Sequence, residues 1–366
     1  MRGCFSNIVA FTSILLNLPA LIKNMNNRFK NAVYALILLA SILTVYFVRR
    51  STTEPQLVIG GRTMGTTYHI IYFDKKERDF SGDVDSLLKV FNESLNTYLP
   101  DSEITSFNTG HSLRFGLPFF QPVLQRSSEI TAASHGAFDP TVMPLVNAWG
   151  FGPAEAMDPD SSQVDSVLQF VGFEKIMFNT DSVWRSDQRV QLDFSAIAKG
   201  YGVDVVAAFL KENGIDNLFV EIGGEVVTAG TNINEKRPWQ VGILHPNSTQ
   251  DDQRFIAFAE LKDKALATSG NYFNYRMEDG RKYSHTIDPD TGYPVQREIL
   301  SASVIAEDCM TADAWATAFM VMGHERAIAL LDSLEGVEAF ITYSKSDGSI
   351  GTFTSQEIGP VITLND

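Results

Sequence analysis

Asp313 and Thr317 stand four residues apart in TADAWATAFMVMG (Thr311 to Gly323), a stretch otherwise rich in Ala, Phe, Met and Val. On a helix this spacing stacks the carboxylate and the hydroxyl on one face, about one turn apart, so both oxygens could grip a single cation. A plainer assignment competes. Thr311 is a reasonable N-cap, which would put Asp313 in the first turn where the dipole favours an acid. Thr317 would then bond back to the carbonyl of residue 313. Taken alone, the stretch favours the plainer assignment.

Four further stretches put polar residues and glycines where a simple core would not. In QLDFSAIAKGYGVD, Ser195 is a suitable N-cap for a helix to about Lys211, with Gly200 and Gly202 in its opening turns. Each glycine costs a helix about 1 kcal/mol against alanine, which points to close approach by another group. Lys199 near a helix start opposes the dipole, so it is either solvated or faces a bound anion. In GRTMGTTYHI, Gly61 and Gly65 bracket Met64 at the start of a strand, which reads as a turn more readily than as backbone freed for close approach to a ligand. In GAFDPTVMPLVNAWGFGP, Pro140 holds Asp139 extended, and Phe138, Trp149 and Phe151 either plug the core or stack on a planar ring. In ATSGNYFNY and YSHTIDPDTGYPV, Ser269 and Gly270 read as a turn. His285 is either structural or a proton acceptor near neutral pH.

The elements that must position these groups mix strands, hairpins and helices. TTYHIIYF alternates like a half-buried strand, and DVDSLLKVFNESLNTYL carries a helical apolar stripe at 87, 88, 91 and 95. PVLQRSSEITAASHG reads as a helix closed by Gly136, and NLFVEIGGEVVTAG as a hairpin around Gly223 and Gly224. WQVGIL, RFIAFAEL and LSASVIAE add strands, and VEAFITYS and GSIGTFTS flank a Ser-Asp-Gly turn. Strand–helix–strand alternation is scarce, so the expected class is α+β with largely antiparallel sheet.

Bulk properties narrow the function. A formal charge of −15 argues against a nucleic-acid partner and means that a polyanionic ligand needs local help from a lysine, a helix N-terminus or a metal ion. The two cysteines, Cys4 and Cys309, flank an apolar segment, and no zinc-type Cys/His spacing occurs. That segment, Ala32 to Val48, is uncharged and bracketed by Arg28, Lys30, Arg49 and Arg50. It is expected to be an uncleaved transmembrane anchor over about 32–48, with residues 1–56 as anchor and linker and 57–366 as the domain that holds every stretch singled out above. An earlier run, NIVAFTSILLNLPALI, is broken by Asn17 and Pro19; it is either a second membrane segment or a prelude to a true start at Met25.

Taken in order, the stretches resemble the ApbE family of FAD:protein FMN transferases. The resemblance rests on TMGTTY, LNTYLPDSEITSFN, GAFDPTVMPLVNAWGFGP, LDFSAIAKGYGVD, VEIGGEV, ATSGNY, SHTIDPDTGYPV and TADAWATAFMVMG, spanning about residues 60 to 323. It implies a T-fold-like α+β domain and FAD contacts from Met64, Tyr98, Ala137, Phe138, Asp139, Asp193, Lys199 and the backbone around Ile287. It also implies Mg2+ held by the carbonyl of Ala196 with the side chains of Asp313 and Thr317, which favours the cation reading of that pair.

The implied reaction moves FMN from FAD to a Thr or Ser hydroxyl of a target protein and releases AMP. Asp313 and His285 are the candidate catalytic residues. Implied acceptors are flavin-carrying subunits of membrane redox complexes, of the Na+-translocating quinone reductase or Rnf type. Many family members carry a lipoprotein cysteine after the apolar run; Cys4 instead precedes it. A transmembrane anchor would here tether the domain to the inner membrane, facing the periplasm. Two other functions share the same site: an FAD pyrophosphatase giving FMN and AMP, and a non-catalytic periplasmic flavin-binding protein.

Overall fold

The computed structural model describes residues 26–52, 54–153, 159–249, 251–270, 275–278, 281–284 and 286–365, with backbone alone at 29, 45–52, 275–278 and 281–284. The chain divides into two compact units, one ending at Glu54 and the other spanning Pro55–Asp366. In the first, helix α1 (Asn27–Thr52) leaves Leu36, Leu38, Leu39 and Ile42 exposed. The anchor expected at 32–48 falls on this helix but runs into residues whose side chains are outside the description. Among the described residues no helix is long and apolar enough to cross a membrane.

The second unit is built on an eight-stranded antiparallel sheet. Its strands are β1 (Gln56–Thr63), β2 (Thr66–Phe73), β3 (Leu218–Ile222), β4 (Glu225–Ala229), β5 (Ala265–Gly270), β6 (Ile299–Ala306), β7 (Glu338–Ser344) and β8 (Ile350–Thr354), and spatial order follows chain order. Neighbours are therefore joined by hairpins or by inserted segments that return to the same edge. One face is covered by α2 (Ser81–Leu95), α3 (Ala198–Glu212) and α4 (Cys309–Met322), whose side chains join the sheet in one large apolar core. On the other face a three-stranded sheet (Trp239–Leu244, Phe255–Leu261, Ile362–Leu364) packs Val241, Ala257 and Leu261 against Val226, Leu266 and Ile305. The mixed, largely antiparallel α+β architecture is the expected one.

Burial patterns follow from these layers. In β2, Tyr68, Ile70 and Tyr72 alternate inward, while all five residues of β4 are buried because both faces are covered. The Gly223-Gly224 turn joins β3 to β4 with positive φ at both glycines. The stretch around Met64 is a turn before a strand, and the strand ahead of it makes it a hairpin. QLVIGGRT is itself β1, and Met64 (φ 48) and Gly65 (φ 74) form the two-residue β1–β2 turn, whose left-handed backbone suits the strand twist. A methionine in this region costs roughly 1 kcal/mol, a strain that often marks functional positions.

Two N-caps also differ from expectation. α4 begins at Cys309, capped by Asp308, whose side chain accepts the Thr311 N–H; Asp313 therefore lies in the second turn, where the dipole cannot account for it. α3 begins at Ala198 after Ile197, which caps nothing, and the Ser195 hydroxyl donates instead to Asp193. Ser269 and Gly270 lie in β5 rather than in a turn.

Candidate functional site

The site forms where α3 and α4 converge over β4 and β5. Gly200 makes the convergence possible: a Cβ there would lie 2.2 Å from the Cys309 carbonyl oxygen and 2.8 Å from Asp313 Cβ. The close approach foreseen from the glycines is thus made by α4 and, at Gly202, by the Met64 side chain, not by a ligand. Asp204, one turn further along α3, accepts the N–H groups of Cys309 and Met310, each at 2.8 Å, and pins the start of α4 to α3.

This pinning sets Asp313, 3 % exposed, beside the first turn of α3, where its carboxylate accepts the Gly200 N–H at 2.9 Å. Thr317 does not bond back to residue 313; its hydroxyl pairs with Ser269 of β5 at 3.0 Å. Lys199 extends from α3 to Glu225 at the start of β4 and forms an ion pair with it. Glu225 is 2 % exposed, and its second carboxylate oxygen, Oε2, is buried with no hydrogen-bond partner among the described residues.

The electrostatics are lopsided. Burial pushes the Asp313 and Glu225 carboxyls upward against the pull of Lys199, and Asp313 raises Glu225 further. Lys199 keeps its proton firmly because Glu225 and Asp313 outweigh its own desolvation. Two buried acids thus share one ammonium, and one of their oxygens has no donor. Such a set is stabilised by a further cation. The hard oxygen donors present here, a carboxylate, a hydroxyl and the Ala196 carbonyl, suit Mg2+. No cluster of three or more His, Cys, Asp or Glu side chains suited to a metal occurs among the described residues, so a bound ion would depend on few protein ligands plus a substrate's own oxygens.

These residues line a cleft of about 750 Å3, roomy enough for a dinucleotide. Of the residues singled out from the sequence, Tyr98, Ala137, Phe138, Asp139, Asp193, Ala196, Lys199, Ile287, Asp313 and Thr317 all border it. Met64 borders an adjoining hollow of about 440 Å3 that shares Tyr98, Ser195 and Lys199 with the cleft. His285 lies outside the described residues. The Tyr98 ring is 63 % exposed, with its hydroxyl 3.3 Å from the Phe151 carbonyl, and forms an accessible aromatic wall. Trp149 is not at the cleft surface; its indole N–H donates to the Gly292 carbonyl at 2.8 Å, and its ring packs on Tyr293.

Asp139 occupies the cleft wall differently from a ligand-facing acid. One carboxylate oxygen accepts the Thr141 N–H and hydroxyl, and the other accepts the Phe173 N–H at 3.0 Å. Its carboxylate is therefore used to fold the 137–173 segment, leaving its backbone for any ligand. The Asp193 N–H donates to the Pro140 carbonyl at 2.7 Å and ties this wall to the segment leading into α3. Asp139→Ala is expected to lower stability by about 2 kcal/mol, measured by denaturant unfolding, through three lost bonds to a buried acceptor. An unchanged unfolding midpoint would return its carboxylate to a ligand role.

Sequence reasoning misses Glu225, within VEIGGEV. Its signal is an acid directly after a Gly-Gly turn, opening an apolar run. Thr268 carries no sequence assignment and Ser269 only that of a turn residue, because a hydroxyl in a strand is ordinary until its partner across the fold is known.

Comparison with known proteins identifies the fold. The ApbE family model matches residues 64–341. A FAD:protein FMN transferase of Vibrio cholerae serotype O1 is 36% identical over 340 residues, covering 90% of this chain and 98% of its own length. One from Haemophilus influenzae is 34% identical, covering 83% and 90% respectively. The solved structure of a flavin transferase ApbE from Vibrio cholerae superposes with a TM-score of 0.76 at 35% identity, over 84% of this chain and 100% of that one. The apo flavinyl transferase ApbE of Pseudomonas stutzeri gives 0.73 at 30% identity, over 84% and 97%. The convergence of α3 and α4 on a dinucleotide-sized cleft is thus the work of an ApbE family fold, and this chain is a member of that family.

Proposed function

We propose that this chain transfers FMN from FAD to a Thr or Ser hydroxyl of an acceptor protein, releasing AMP. The observation that carries the reading is the cluster of part-exposed Lys199 with buried Glu225 and Asp313 at the floor of the cleft, short of positive charge where a pyrophosphate would lie. The names of the relatives, FAD:protein FMN transferases, supply the substrate class.

In phosphoryl-type transfer the protein chiefly positions groups and offsets charge. Tyr98 and the backbone of 137–139 would seat the flavin nucleotide, and Lys199 would face the phosphates from the first turn of α3. Ala196, Asp313 and Thr317 would hold Mg2+, which when bound neutralises phosphate charge and polarises the phosphorus under attack. The burial of Asp313 and Glu225 excludes water from that corner and strengthens each charge–charge interaction in it. His285 is proposed to take the proton of the incoming hydroxyl.

We also propose a tether at the inner membrane with the catalytic unit in the periplasm, acting on flavin-carrying subunits of membrane redox complexes. This rests on the sequence of Ala32–Val48 and on the exposure of Leu36, Leu38, Leu39 and Ile42 in α1, since a helix made for water hides its apolar stripe.

The test is incubation with FAD, Mg2+ and a purified flavin-carrying subunit, followed by intact-mass spectrometry. The expected result is one added FMN per acceptor with stoichiometric AMP. AMP with free FMN and an unmodified acceptor would identify a pyrophosphatase, and no AMP at all a flavin-binding protein.

A further inference from the structure

Lys199 has two buried acids within electrostatic reach, and it is hydrogen-bonded to only one of them. Its ammonium pairs with Glu225, and no ion pair joins it to Asp313 among the described residues, although Asp313 strengthens its hold on the proton. The selection is built in by the chain. Glu225 is fixed by the Gly223-Gly224 turn at the head of β4, a strand buried along its whole length. Asp313 is fixed on α4 by the Gly200 N–H and by the tight α3–α4 contact. Lys199, rooted one residue before Gly200, carries the only flexible arm of the three. After Glu225, Asp313 is the acid that acts most strongly on Lys199, with Glu221 of β3 also within its electrostatic reach.

We infer that Glu225 is a positioning residue: it holds the Lys199 ammonium off Asp313 and so keeps the Asp313 carboxylate available for a divalent cation. Lys199 on Asp313 would neutralise the acid and occupy it, and an ammonium and a metal ion cannot share one carboxylate oxygen. The orphaned Oε2 of Glu225 fits this role. The acid is retained in an environment that gives it one donor where it could use more, which is costly unless its charge is needed there. The inference rests on the cation reading given above and adds to it a residue that is no ligand itself.

The test is Mn2+ binding followed by electron paramagnetic resonance on FAD-free protein, which reads the site without turnover. Glu225→Gln keeps the side-chain shape and removes its charge. It is expected to weaken Mn2+ binding about tenfold, the scale of one close charge pair. Lys199→Met alone should leave binding at least as tight as in the parent. The double variant Glu225→Gln with Lys199→Met should recover the affinity of Lys199→Met, since no ammonium remains to compete. Folding damage by Glu225→Gln could not be repaired by removing a second side chain, so the recovery separates positioning from structure.

Parent-like Mn2+ binding by Glu225→Gln would overturn the inference and leave the cation site standing. Weak binding that persists in the double variant would overturn it too, by making Glu225 a ligand or a structural prop. No Mn2+ binding by the parent protein would remove the cation reading and this inference together.

Discussion

Asp313→Asn is expected to slow FMN transfer at least about a hundredfold while leaving the apo protein as stable as the parent or more so. The rate loss follows from removing one preorganised charge from a site where charge develops, which typically costs on the order of 3 kcal/mol. The stability side follows from burial. Asp313 is 3 % exposed, its carboxyl is pushed upward by desolvation, and it competes with Glu225 for a single ammonium. An amide of the same shape still accepts the Gly200 N–H through its oxygen but carries no charge to desolvate. AMP release and acceptor mass give the rate, and calorimetric melting without added metal gives the stability. Activity and melting temperature falling together would mean that Asp313 is a structural acid. Unchanged transfer would remove it from the chemistry altogether.

This pairing of lost activity with retained stability separates function from architecture at a position the sequence left ambiguous. The Asp313/Thr317 spacing was legible because helical periodicity is strictly local. Its meaning was not, because the start of α4 depends on Asp308 and on Asp204, one of them a hundred residues away along the chain. Hairpin register was legible wherever glycine forces the turn, as at Gly223-Gly224. At Met64 the turn was legible but the hairpin was not, because a residue that disfavours positive φ occupies the turn and the preceding strand offers little apolar alternation.

The two-sided burial of β4 was also out of reach. An apolar run looks the same under one packed layer or two, and only the three-stranded sheet over Val226 and the helices over Val227 show that both faces of β4 are covered. The site's polar residues were found through the family pattern, whereas their division of labour is a property of three dimensions. Asp139 folds a wall, Asp193 anchors it, and Asp313 faces the cleft, although all three are aspartates of similar reach.

The second large effect is expected at Gly200, and Gly202 serves as its control. Both sit in α3, where alanine would be favoured by about 1 kcal/mol on helix propensity alone. At Gly202 an added methyl meets the terminal carbon of Met64 at 2.6 Å, the free end of a flexible side chain that can turn aside. Gly202→Ala should therefore be close to neutral in stability while displacing Met64 from the adjoining hollow. A rise in the KM for FAD with little change in kcat is the expected signature. At Gly200 the methyl meets backbone, the carbonyl of Cys309, and the root of the Asp313 side chain. Neither can move unless the two helices part, which would break the Asp204 bonds to the start of α4. Gly200→Ala should cost about 3 kcal/mol or more in denaturant unfolding, against its helix propensity, and should abolish Mn2+ binding by carrying Asp313 away from Ala196. Equal stabilities for the two variants would mean that α3 and α4 are not in the close contact on which the cation site depends.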